Sequence, residues 1–96
     1  MAAERIMTLH PQGRKGVSIA REHYDTVRDA ILAALADDGE ITFSELLDRT
    51  AQRLQGRFHG SPSWYTTVVK LDLEARGLIA CDRRSRPQRI QLGIPD

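Results

Sequence analysis

At Gly77 the hydrophobic period of the chain changes, and no other feature of the sequence constrains its fold as much. Before that glycine, apolar residues recur at the helical spacing of three to four. After it they alternate with polar ones, as in strands. Helices followed by a terminal hairpin must bury one face of the hairpin, which predicts a mainly α domain with a small β-hairpin, of the α+β class.

The first predicted helix runs from about Arg21 to Ala36, where Tyr24, Val27, Ile31 and Leu35 draw one apolar stripe. Asp37-Asp38-Gly39 stops it, and Glu40-Ile41-Thr42 reads as a short extended link. Thr42 and Glu45 have the spacing of a capping box that opens a second helix. Phe43, Leu46, Leu47, Thr50, Ala51 and Leu54 form its apolar face, and Gln55-Gly56 closes it. Ser61-Pro62 is a helix start, predicting a third helix over 62–76. Leu78–Asp82 and Gln88–Leu92 then read as two strands around a basic loop. Helix, short strand, helix, turn, helix and hairpin is the order of a winged helix-turn-helix, with a three-helix core and a two- or three-stranded wing. The predicted division is an N-terminal arm or strap over 1–17 and the winged domain over 18–96. Pro11, Gly13 and Gly16 break the arm, and Ile6, Leu9 and Val17 are its candidates for packing on the body.

Charge is unevenly distributed. Residues 1–48 carry five Lys and Arg against nine Asp and Glu, and residues 49–96 carry nine against four. Such an imbalance suits a domain with one anion-facing surface. With Trp64 at the origin of a helical wheel, Val68, Leu71 and Ala75 fall beside it, and Tyr65, Val69 and Leu73 widen the apolar arc. Ser63, Thr66, Thr67, Lys70 and Glu74 occupy the other side. Ser63, Thr66, Thr67 and Lys70 are therefore the predicted groove contacts of a recognition helix. Arg83, Arg84, Arg86 and Arg89, on and beside the hairpin loop at 83–89, are the predicted contacts to DNA backbone or minor groove. The plainer reading of both groups is that hydroxyls favour helix starts and basic loops keep hairpins from pairing edge to edge. Asp72 falls inside the apolar arc and needs a partner, for which Arg76 is four residues away.

Nothing in the sequence points to catalysis. His10, His23, His59 and Cys81 lack metal-site spacing, no glycine-rich phosphate loop occurs, and no serine or cysteine sits in a nucleophile motif. The expectation is a protein that is not an enzyme and uses no cofactor and no metal. A lone Cys81 suits a reducing compartment, and the chain shows neither a signal peptide nor a run of roughly 18 apolar residues. A cytoplasmic protein without a membrane partner is expected. Homodimerisation is compatible with the fold, although no long extra helix is present to serve as a zipper.

The segment Ser61-Pro-Ser-Trp-Tyr-Thr-Thr-Val-Val-Lys-Leu-Asp-Leu-Glu-Ala-Arg-Gly77, with Pro87-Gln-Arg-Ile-Gln-Leu92 and Leu9-His-Pro-Gln-Gly-Arg-Lys-Gly-Val17, resembles a family of small bacterial proteins of uncharacterised function. Those proteins look like stand-alone winged helices of the transcriptional-regulator type. The resemblance implies the fold and transfers no site residues. It also draws residues 9–17 into the pattern, so that Arg14 and Lys15 become candidate arm contacts to DNA and Val17-Ser-Ile19 a candidate edge for a partner strand. The expected function is a double-stranded DNA-binding module in bacterial transcription. The alternative is a protein–protein interaction module of the same fold, favoured by the near-neutral total charge, Glu74 and Leu73.

Overall fold

The structure, a computed structural model, describes residues 4–56, 58–82, 84 and 86–93. Its elements are β1 (Arg5–Met7), β2 (Ser18–Ala20), α1 (Arg21–Asp38), β3 (Ile41–Thr42), α2 (Phe43–Leu54), α3 (Pro62–Ala75), β4 (Ile79–Asp82) and β5 (Arg89–Leu92). This is an α+β fold of three helices with two small antiparallel sheets, one ordered β1-β2 and the other β3-β5-β4.

Helices α2 and α3 begin where a side chain can satisfy free backbone donors. The Thr42 hydroxyl accepts from the Glu45 amide while the Glu45 carboxylate accepts from the Thr42 amide, a closed capping box. Ser61 accepts from the Trp64 amide, and Pro62 occupies the first turn of α3, where no amide is needed. Gly39 ends α1 at φ 71°, a conformation a side chain would oppose.

The core is the predicted stripe of α1 (Tyr24, Val27, Ile31 and Leu35), packed against Leu46 and Leu54 of α2 and Val69 and Leu73 of α3. Ile41, Ile79 and Ile90 close it from the sheet. Ile90 lies on the central strand, between Ile41 and Cys81 in register. Each fully buried aliphatic side chain contributes roughly 1.5–3 kcal/mol. Ala51, expected on the apolar face of α2, is exposed and lies outside this core.

The expected boundary at residue 17 falls inside a hairpin. Ile6 pairs with Ile19, and the ladder continues through Thr8, whose amide donates to the Val17 carbonyl at 2.8 Å. The Thr8 hydroxyl also accepts from the Val17 amide at 3.0 Å. Gly16 is required at this crossing, because a Cβ there would lie 1.8 Å from the Thr8 carbonyl oxygen. Strands of three residues are too short to show a period, which is why this hairpin is not legible in the sequence. Val17-Ser-Ile19 already has its partner strand in β1. Leu9 and Val17, expected to pack on the body, are instead 45% and 36% exposed, while Ile19 is buried.

Candidate nucleic-acid interface

The hairpin strap crosses α3 and is tied to it through Asp72. That carboxylate is wholly buried. Its Oδ1 accepts the Leu9 amide at 2.8 Å, and its Oδ2 accepts both the Arg76 guanidinium at 2.8 Å and the Tyr24 hydroxyl in a short hydrogen bond. The expected Asp72–Arg76 pair is present. The two other donors were not foreseeable, since Tyr24 is 48 and Leu9 63 residues away in sequence.

Burial pushes the Tyr24 phenol up to about 12, with the hydrogen bond and negative charge of Asp72 adding to it. A raised acid pKa means that the folded state holds its proton more tightly than the unfolded state does. The stability this group contributes is therefore independent of pH below 10 and is lost as pH rises from 10 towards 12, where the unfolded chain ionises more readily. Urea unfolding of wild type and Tyr24→Phe across that window should show the gap between them closing; a gap independent of pH would contradict the assignment.

α3 is turned about its axis relative to the expected orientation. Its buried residues are Thr66, Val69, Lys70, Asp72 and Leu73. Most of these lie roughly opposite Trp64 on the helical wheel. Trp64 itself is 47% exposed, and Val68, Leu71 and Ala75 are half-buried beneath the strap. Two of the four predicted groove residues are corrected as a result. Thr66 is fully buried, and Lys70 is 6% exposed, its ammonium 3.1 Å from the Glu74 carboxylate and 5.4 Å from the centre of the Phe43 ring. A buried amine is tolerated because the ion pair and the aromatic face compensate its lost hydration. Glu74 is accordingly engaged inside the fold.

The Thr66 hydroxyl has no hydrogen-bond partner among the described residues. Thr66→Val, which keeps the shape and removes the stranded group, should raise stability by about 1 kcal/mol. It should leave any nucleic-acid affinity unchanged; a loss of affinity in thermally stable T66V would restore Thr66 as a contact.

Ser63 is exposed and Thr67 half-exposed, so the open end of α3 presents Ser63, Trp64 and Thr67. The Thr67 hydroxyl donates to the Ser63 carbonyl at 2.8 Å, which sets these residues side by side. At the base of that end, His23, Phe58 and Tyr65 pack edge to face with centroids 4.8–5.3 Å apart, and Trp64 leans on Tyr65 at 4.9 Å. This cluster joins the start of α1 to the α2–α3 turn. The sequence gives no sign of it, because its members come from three separate segments.

Arg84 and Arg86 are exposed at the hairpin tip, where the Arg84 amide is anchored to Asp82 at 3.0 Å. Arg83 lies outside the described residues. Arg89 is exposed and sits 3.8 Å from Glu40. The tip runs beside the start of α2, the Phe43 amide donating to the Gln88 carbonyl at 3.2 Å. Arg14 and Lys15 are exposed on the strap loop.

Ion pairing separates four of these cations, Arg14, Lys15, Arg84 and Arg86, from the arginines of α1 and α2. On α1 and α2, Arg21 lies 3.4 Å from Asp25 and Arg28 3.1 Å, while Arg49 meets Asp38 at 2.9 Å and Arg53 meets Asp37. Among the described residues no ion pair holds Arg14, Lys15, Arg84 or Arg86. Likewise, among the described residues no three His, Cys, Asp or Glu side chains cluster to hold a metal, and no helix is long and apolar enough to cross a membrane.

The fold and its cationic loops thus define a small α+β protein of three helices with a strap and a hairpin. The chain belongs to the DUF6958 family, a family of unknown function, whose profile matches residues 5–90. No curated protein and no solved structure matches it.

Proposed function

We propose that this protein is a winged-helix module that binds double-stranded DNA mainly through its phosphates, in bacterial transcription control and without catalysis. The order α1-β3-α2-α3-β4-β5, with β5 central in its sheet, fits that reading. The observation that carries it is the set of Arg14, Lys15, Arg84 and Arg86, exposed on two loops and held by no acid among the described residues. Cations already paired to carboxylates release few counterions on meeting a duplex, whereas these four are available to do so. Ser63 and Thr67 can add hydrogen bonds from the open end of α3. With Thr66 and Lys70 turned inward, insertion of the whole helix 62–76 into the major groove is not part of the proposal.

Fluorescence anisotropy with a random-sequence duplex at ~50 mM salt tests it, because phosphate attraction does not depend on the operator. Binding with a log K against log salt slope of about −2 to −4 is expected for this number of cations. Absence of binding would end the DNA reading in favour of a protein partner. The observation favouring that second reading is the exposure of Met7, Leu9 and Trp64 at 56%, 45% and 47%.

A further inference from the structure

Between the strap and α3 lies a cavity of about 110 Å³ whose walls are the side chains of Leu9, Val17, Val68 and Leu71. Its polar lining is one-sided. The Thr8 hydroxyl is already engaged with Val17. The His10 Nδ1 accepts the Gln12 amide at 3.1 Å, so the ring proton sits on Nε2, a donor. Lys15 is exposed, and no Asp or Glu lines the cavity. Arg14 lines the adjoining hollow of the same loop, again without an acid among its lining residues. Apolar walls beside a lysine and an imidazole N–H, with no carboxylate among the lining residues, are complementary to a molecule with an apolar body and an anionic acceptor head.

We infer that this cavity is a binding site for a short-chain aliphatic monocarboxylate. The tail would lie against Val68 and Leu71, and the carboxylate would meet the Lys15 ammonium and the His10 Nε2–H. The volume is below the ~150 Å³ of an apolar cavity that admits benzene, which limits the tail to roughly four to six carbons. This inference uses no property of DNA and stands or falls apart from the duplex reading.

The test is an amide-resolved NMR titration of the whole chain with valerate, with neutral valeramide as the matched control. Valerate should shift the amides of Gly16, Val17, Val68 and Leu71 and bind at least about tenfold more tightly than valeramide. Lys15→Gln, at an exposed position, should lose about tenfold in valerate affinity. Val68→Phe, which fills the cavity, should abolish the shifts while the α1 amides keep their wild-type positions. Equal response to valerate and valeramide, shifts confined to other residues, or full affinity in K15Q would each overturn the assignment.

Discussion

Asp72→Ala is expected to lower the free energy of unfolding by about 2–5 kcal/mol, because it leaves two donors inside the fold without an acceptor and removes the partner of a solvent-exposed guanidinium. The Tyr24 hydroxyl and the Leu9 amide lose their acceptor, and Arg76 loses its counter-charge. In a domain of this size such a loss corresponds to a fall in Tm of 4–8 °C for each ~1 kcal/mol. Asp72→Asn keeps the volume and part of the accepting capacity, so it should fall between wild type and alanine. The strap should respond first. Hydrogen exchange at Thr8 and Val17 should accelerate in both variants more than exchange in the middle of α1, since Leu9–Asp72 is the strap's tie to α3. A loss below ~1 kcal/mol in D72A would mean that the buried carboxylate does not hold the strap to α3.

The second large effect concerns binding. Replacing Arg14, Lys15, Arg84 and Arg86 together by alanine should change stability by no more than ~0.5 kcal/mol, since all four are exposed and none is held in an ion pair among the described residues. Duplex affinity at low salt should nevertheless fall by at least ~100-fold, and the salt slope should flatten by up to about 3.6, near 0.9 for each phosphate contact. The control is Arg49→Ala with Arg53→Ala, which removes cations already paired with Asp38 and Asp37 and should leave the slope nearly unchanged. An equal loss in both variants would show that net charge alone, rather than the two loops, governs attraction.

Much of this fold is legible in the sequence because its helices advertise themselves locally. The stripe Tyr24, Val27, Ile31 and Leu35 is buried, and the Thr42–Glu45 box and the Ser61-Pro62 start are in place. Each of these rests on residues within a few positions of one another. Failures arise where long-range contacts decide. α3 is apolar over about half of its circumference because it has two neighbours: the helical body on one side and the strap on the other. A rule that assigns polar residues to solvent then selects the wrong face. Lys70 satisfies its charge inside the fold through Glu74, and Thr66 has nearly the shape of valine. The strap escapes detection for the complementary reason, that its strands are short and its anchor, Asp72, lies 63 residues from the amide it holds. Of the predicted contact residues among those described, Arg14, Lys15, Arg84, Arg86 and Arg89 are exposed, and those on the helix divide into two outside and two inside.

The central claim is that one duplex engages the strap loop, the open end of α3 and the hairpin tip. Mapping amide shifts during titration with a duplex tests it most directly. Changes concentrated at residues 13–15, at Ser63 and Thr67, and at Arg84 and Arg86, with the Asp37–Arg53 and Asp38–Arg49 region unmoved, are the predicted result. Shifts gathered on that ion-paired surface instead, or none at any of the three loci despite binding, would contradict the account.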